Sequence, residues 1–293
     1  MTTPLPGGTL TLGGDLTITR MGYGAMQFGQ HGIAGPPENL DEAAKVLHEV
    51  VALGITHIDT AGFYGAGGVN HLIKTALHPY REGLQIATKV GFRADDEGNW
   101  GPAQDPADIK QQVYENLEQL GLGTLDLVNL RCLADSLDAV SDGPLSEQFG
   151  ALAELQQQGL IRHLGLSTVS ERALAEAQRI APVVCVQNYY NLAHRADDAL
   201  VDRCAAEGIA FVPYFPLGGF SPLQSQTLTE VAATVGASHQ QVALAWLLQR
   251  STTMALIPGT SSIAHLRDNL AAASLELPAD AVAKLDAIAT ATD

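Results

Sequence analysis

Three residues of complementary chemistry lie near one another in the chain: Asp59, Tyr64 five positions later, and Lys89. Asp59 follows Ile58, and Lys89 closes the run Ile86-Ala87-Thr88-Lys89, so both read as ends of short neighbouring strands. Singly each is ordinary: Asp59 could cap a helix, Tyr64 fill a loop, and Lys89 end a strand in solvent. Jointly they form a general acid. A phenol, with an ordinary pKa of about 10, is a weak acid, but a nearby ammonium favours the phenolate and eases proton release. A carboxylate would hold that ammonium in place. The combination suits protonation of a carbonyl oxygen while a hydride arrives at carbon.

Such a set needs strands that deliver their C-terminal ends to one place. Short β-branched or apolar runs alternate with segments of helical period, the pattern of βα units around a parallel sheet. Candidate strands span 22–25, 57–60, 85–89, 125–130, 163–167, 183–187, 210–214 and 255–258. Helices are expected at 38–53, 69–77, 106–120, 170–180 and 195–207. In the third of these, Ile109, Val113, Leu117 and Leu120 share a face and Gly121 stops the helix. Ser146 and Ser238 are expected to cap two more. Eight strands, each followed by a helix, predict a (β/α)8 TIM barrel, whose chemistry sits at the C-terminal strand ends. Two runs flanking Gly13-Gly14-Asp15, 9–12 and 16–19, predict an N-terminal β-hairpin that closes the barrel's other end. The stretch 278–289 reads as an extra C-terminal helix.

The chain has 293 residues, 46% hydrophobic, with a net charge of −16. That length and composition predict a folded chain, read as one domain over 1–293, and the acidity argues against nucleic-acid or anionic-lipid partners. The N-terminus lacks the basic start and apolar stretch of a secretory signal, and no run of about 18 apolar residues occurs. Cys132, Cys185 and Cys204 show no C-x-x-C spacing. The expectation is a cytoplasmic protein without membrane contact, a monomer or small homo-oligomer.

Seven segments, in order, resemble the aldo-keto reductase superfamily over nearly the whole chain. They are Arg20-Met21-Gly22-Tyr23-Gly24-Ala25-Met26, Ile58-Asp59-Thr60-Ala61 with Tyr64, Thr88-Lys89-Val90, Gly165-Leu166-Ser167-Thr168, Val186-Gln187-Asn188-Tyr189-Tyr190-Asn191, Pro213-Tyr214-Phe215-Pro216-Leu217-Gly218-Gly219, and Ile257-Pro258-Gly259-Thr260-Ser261-Ser262. The resemblance implies catalysis by Asp59, Tyr64 and Lys89 on a small-molecule carbonyl, with NADP(H) as cofactor. It assigns the nicotinamide carboxamide to Ser167 and Gln187 and the nicotinamide ring to a stack on Tyr214, with Thr168, among the cofactor-binding residues, where many relatives carry Asn. It places Gly22 among the cofactor-binding residues and the 215–220 loop, with Phe215, Pro216, Leu217, Gly218 and Gly219, over the pyrophosphate. Thr260, Ser261 and Ser262 open a helix that the family uses for the adenosine 2′-phosphate, a suitable place for an anion. His265 stands where many relatives carry Arg, with Arg267 the nearest guanidinium, and Asp268 and Asn269 are assigned to adenine.

One position departs from the family. Where most relatives end strand four with His, the run Asp126-Leu127-Val128-Asn129-Leu130-Arg131 places Arg131. Arginine stays charged and donates no proton, but it can orient a carbonyl or pair with an anionic substrate oxygen, or simply pair with a loop acid such as Asp135. This variant, with the 187–194 and 216–223 runs, is similar to the bacterial branch of pyridoxal reductases, implying reduction of pyridoxal to pyridoxine. Two other classes remain open: a class I aldolase-like barrel with a Schiff base on Lys89, and a cofactor-loaded sensor with little turnover. No metal site is expected, because the nine histidines include no His-x-His pair; His57, His71 and His163 are read as structural.

Overall fold

The computed structural model describes residues 5–29, 39–95, 99–134, 136, 139–218 and 225–289. Parallel strands follow one another around the sheet in chain order: Tyr23–Gly24, His57–Asp59, Gln85–Val90, Leu125–Arg131, Ile161–Ser167, Val183–Gln187 and Ala210–Phe211. A short stretch completes the circle, since Met254 bridges Phe211 and Leu256 bridges Met21, both in parallel sense. Across that seam the Leu256 N–H donates to the Arg20 carbonyl and the Gly22 N–H to the Leu256 carbonyl, each at 2.7 Å. The result is the expected (β/α)8 barrel, with its eighth stave reduced to these bridges. Proline explains the shortened ladders: Pro258 and Pro213 lack the N–H that a continuing strand needs. Tyr214, expected inside strand seven, returns as an isolated bridge to Tyr189.

Alternation divides the side chains into two apolar layers. Ile58, Ile86, Val90, Val128, Leu130, Leu164, Leu166 and Val186 face outward and join the helices in the large core. Ala87, Leu127, Cys185, Ala210, Val212, Ala255 and Ile257 face inward, where they meet Leu12, Leu16 and Ile18 of the hairpin. The hairpin, Thr9–Leu12 paired with Leu16–Thr19, thus plugs the barrel as expected. Its turn uses Gly13 at φ 59° and Gly14 at φ 87°, conformations that glycine adopts without strain. His163 and Asp15 meet at 2.6 Å and fasten the turn to strand five.

Pro106–Leu120 forms at its expected bounds, capped by the Asp105 side chain and ended by Gly121 at φ 67°. Ser238 heads a full capping box with Gln241. The expectation for Ser146 is corrected: Leu145 is the cap, and Ser146 is the first residue of Ser146–Gln157. The Glu176 carboxylate, reaching over from the next helix, accepts from the N–H groups of Leu145 and Ser146 at 3.1 Å and from the Ser146 hydroxyl. A distant acid therefore does what the sequence reading gave to a local serine. The reading also passed over Gln226–Val235 and the hairpin Phe92–Ala94/Trp100–Pro102.

Because Leu16 is 1% exposed and fills the barrel floor, Leu16→Ala should destabilise the protein by about 2–5 kcal/mol, the usual cost of a buried leucine truncation. Chemical denaturation of the two proteins measures it; a loss below about 1 kcal/mol would show that the hairpin is not part of the cooperative core.

Candidate active site

Asp59 and Lys89 end adjacent strands whose register pairs Asp59 with Ala87, so their side chains emerge together at the barrel's C-terminal rim. The Lys89 ammonium donates to Asp59 Oδ1 at 2.5 Å and to the Thr60 carbonyl at 3.0 Å. Asp59 is 2% exposed and Lys89 3%. Burial alone would drive Lys89 down, but the Asp59 carboxylate and the Tyr64 oxygen outweigh it and hold the lysine pKa above its ordinary value. Lys89 is therefore an ammonium, fixed by its partner. The other Asp59 oxygen accepts from Gln187 Nε2 at 2.7 Å, tying strand six to the pair.

The neighbours of these residues point outward and lock the strands to the helices behind them. The Thr60 hydroxyl donates to Asn70 Oδ1 at 2.7 Å, and the Thr88 hydroxyl donates to Asn116 Oδ1 at 2.6 Å. Asn70 Nδ2 also donates to Asn116 Oδ1, at 3.0 Å. Asn70, Asn116, Thr60 and Thr88 are all nearly or fully buried. This network sets the height and rotation of Asp59 and Lys89, and nothing in the periodicity of the sequence signals it.

Tyr64 sits on the loop after strand two. Directly behind it the chain turns through Gly65 at φ 55°, Ala66 at φ 51° and Gly67 at φ 87°. Positive φ at the alanine is a costly conformation, kept here in the turn that carries Tyr64. The phenol ring stacks on Trp100 at 5.2 Å and 24°, meets Phe63 edge-on at 5.2 Å, and has Lys89 Nζ 5.0 Å from its centroid. Trp100 comes from the small hairpin that the sequence reading missed; Trp100-Gly101-Pro102 offered only a weak turn signal.

These side chains share a cavity of about 230 Å³ lined by Gly24, Asp59, Tyr64, Lys89, Trp100, Arg131, Tyr214, Phe215, Pro216, Leu217 and Ile257, among others. Arg131 enters it from strand four. Its guanidinium lies 5.2 Å from the Phe92 ring and 5.6 Å from the Tyr214 ring. Arg131 Nε is buried without a hydrogen-bond partner, and no carboxylate of the described residues pairs with it. Asp135, the acid offered as a structural partner, lies outside the described residues.

The remaining sequence-assigned residues divide by location. Ser167, Thr168 and Gln187 are buried at the ends of strands five and six, and Gln187 Oε1 has no hydrogen-bond partner among the described residues. Tyr214, Phe215, Pro216 and Leu217 line the cavity, Gly218 follows at φ 93°, and Gly219 lies outside the described residues. Gly22 is not on the cavity wall: a Cβ there would meet His57 Nδ1 at 2.8 Å. Thr260 is tethered, its carbonyl accepting from the Tyr23 hydroxyl at 2.5 Å, and Ser262 caps Ile263–Ala271 by accepting from the His265 N–H at 3.4 Å. Arg267 is exposed and ion-paired with Glu49 at 2.9 Å. Asp268 faces the neighbouring capping box, accepting from Gln241 Nε2 at 2.7 Å and from the Ser238 hydroxyl at 3.1 Å. Asn269 is buried beside it. Among the described residues no group of three His, Cys, Asp or Glu could hold a metal, and no helix is long and apolar enough to cross a membrane.

The family model described as "Aldo/keto reductase family" matches residues 20–290. The chain belongs to the aldo/keto reductase family. It is 52% identical over 280 residues to pyridoxine 4-dehydrogenase of Escherichia coli (strain K12), covering 96% of this chain and 98% of that one. It is 37% identical over 274 residues to an uncharacterized oxidoreductase of Schizosaccharomyces pombe, with 93% and 87% covered. Among solved structures it resembles a thermostable aldo-keto reductase in complex with the inhibitor epalrestat, at a TM-score of 0.81 and 31% identity, covering 96% of this chain and 99% of that chain. An aldo/keto reductase from Klebsiella pneumoniae in complex with NADP and acetate shares the fold at a TM-score of 0.77 and 23% identity, with 95% and 94% covered.

Beneath the pair, His57 is 2% exposed and neither ring nitrogen has a hydrogen-bond partner among the described residues. Burial pushes its pKa down from 6.5 to about 4, so the folded protein holds it neutral while the unfolded chain protonates it near 6.5. A group depressed in this way contributes stability above pH 6.5 that is lost as the pH falls towards 4, about 3 kcal/mol in all. Stability measured by denaturation should therefore drop over that range, and His57→Leu should flatten the drop. An unchanged acid limb in the variant would refute the assignment.

Proposed function

We propose that the protein reduces aldehydes to alcohols with NADPH, and that pyridoxal, reduced to pyridoxine, is its substrate. The observation that carries this reading is the buried Asp59–Lys89 pair beneath Tyr64 in an apolar cavity. The 52% identity to a pyridoxine 4-dehydrogenase over nearly both whole chains supports the choice of substrate.

The residues present fit the cofactor. The unpaired Gln187 Oε1 beside Ser167 and Thr168 suits the N–H of a carboxamide, and the Tyr214 ring on the cavity wall suits a flat heteroaromatic partner. Thr260, Ser261, Ser262, His265 and Arg267 would surround the 2′-phosphate, and Asp268 and Asn269 would meet the adenine. When bound, the nicotinamide supplies a hydride to the carbonyl carbon. Tyr64 donates its phenolic proton to the carbonyl oxygen, as a general acid within hydrogen-bond reach of the developing alkoxide. Lys89 supplies positive charge that stabilises the phenolate left behind, and Asp59 keeps that charge in place. Trp100, Tyr214, Phe215 and Leu217 give the cavity apolar walls that limit water, which strengthens these interactions.

The Schiff-base alternative needs a neutral Lys89 amine. Lys89 is instead an ammonium bonded to Asp59, with its pKa held up, the reverse of what a nucleophilic lysine requires.

Tyr64→Phe should lower kcat for pyridoxal about 10²–10⁴-fold, the worth of a positioned general acid, while NADPH affinity measured by fluorescence titration stays nearly unchanged. Near wild-type turnover in that variant would remove the catalytic assignment. In a second experiment, Arg267→Ala should weaken NADPH binding more than NADH binding. Equal losses would mean that Arg267, which must exchange Glu49 for a phosphate, does not read the 2′ position.

A further inference from the structure

The two cations of the cavity differ in one respect. Lys89 is neutralised by Asp59 at 2.5 Å, whereas Arg131 pairs with no carboxylate among the described residues and keeps a buried, unbonded Nε. Its guanidinium carbon lies over the Phe92 ring at 5.2 Å and over the Tyr214 ring at 5.6 Å, two contacts that restrict where its donors can point. A guanidinium against aromatic faces, with no paired carboxylate among the described residues, is a site for an external anion. The placement is local: a chain with a net charge of −16 carries, beside Tyr64, a positive group that no carboxylate of the described residues pairs.

We infer that Arg131 is a specificity-determining residue that selects aldehydes bearing an oxyanion on the carbon next to the one that carries the aldehyde group, the 2-hydroxyaryl class to which pyridoxal belongs. The inference rests on the reading of this cavity as a carbonyl-reductase site. Tyr64 takes the carbonyl oxygen, and Arg131 takes the neighbouring phenolate oxygen through a fork of N–H donors. The two contacts together fix the ring's rotation, which a single hydrogen bond to the carbonyl would leave free. Arg131 moves no proton and forms no bond to substrate.

The test compares kcat/KM for salicylaldehyde and benzaldehyde, which differ only in the neighbouring hydroxyl, and for pyridoxal and pyridine-4-carbaldehyde. In the wild type the salicylaldehyde-to-benzaldehyde ratio should rise as the pH passes through ionisation of the salicylaldehyde hydroxyl. In Arg131→Gln the preference should fall about tenfold to a hundredfold, the value of a charge-assisted hydrogen bond, and lose its pH dependence. A wild-type ratio flat with pH overturns the inference without any variant, so a poorly folded Arg131→Gln does not shield it. Equal losses on both aldehydes, or a loss confined to NADPH affinity, also overturn it and assign Arg131 to the shared carbonyl or to the cofactor. An Arg131-dependent advantage for salicylaldehyde with no turnover of pyridoxal would sink the pyridoxal reading and leave this inference standing.

Discussion

The buried bond between Lys89 and Asp59 is the constraint on which the site depends. Two charges taken out of water are costly unless each finds its partner at close range, and removing one leaves the other stranded. The barrel meets this demand by setting the pair at the ends of adjacent strands. It satisfies the remaining Asp59 oxygen with Gln187 and one further ammonium proton with the Thr60 carbonyl. The same geometry that makes the ions tolerable gives Tyr64 a fixed positive neighbour. Stability and chemistry therefore rest on one contact.

Rigidity around that contact comes from the polar layer behind it. Thr60, Asn70, Thr88 and Asn116 form hydrogen bonds between strands and helices in a region where apolar packing alone would allow sliding. Below it, the hairpin's Leu12, Leu16 and Ile18 fill the barrel floor and exclude water from that end. The upper end is left for ligands, which is where loops of different length can change specificity without disturbing the core.

Arg131 shows how register alone can present a charge to the cavity. A group at the end of strand four faces the cavity whatever its identity, because strand alternation and register decide the direction. Placing a permanent cation there changes what the cavity attracts, while the Asp59–Lys89–Tyr64 arrangement stays in place.

Much of this was legible in the chain itself. The βα alternation announced the barrel, and Gly13-Gly14-Asp15 announced the plugging hairpin, because local periodicity and turn chemistry are local properties. Asp59 and Lys89 could be singled out because strand ends in such a barrel point at one place, Tyr64 because a phenol beside them completes a general acid, and Arg131 because it stands where the resembled family carries His. Tertiary structure alone decided the rest. It showed that Glu176, thirty residues downstream of Ser146, caps that residue's helix, that Gly22 packs on His57, and that Trp100 stacks on Tyr64. It also left His57 buried with no hydrogen-bond partner among the described residues. These facts depend on which side chains meet across distant segments, and a periodic pattern carries no information about partners that lie outside its own element.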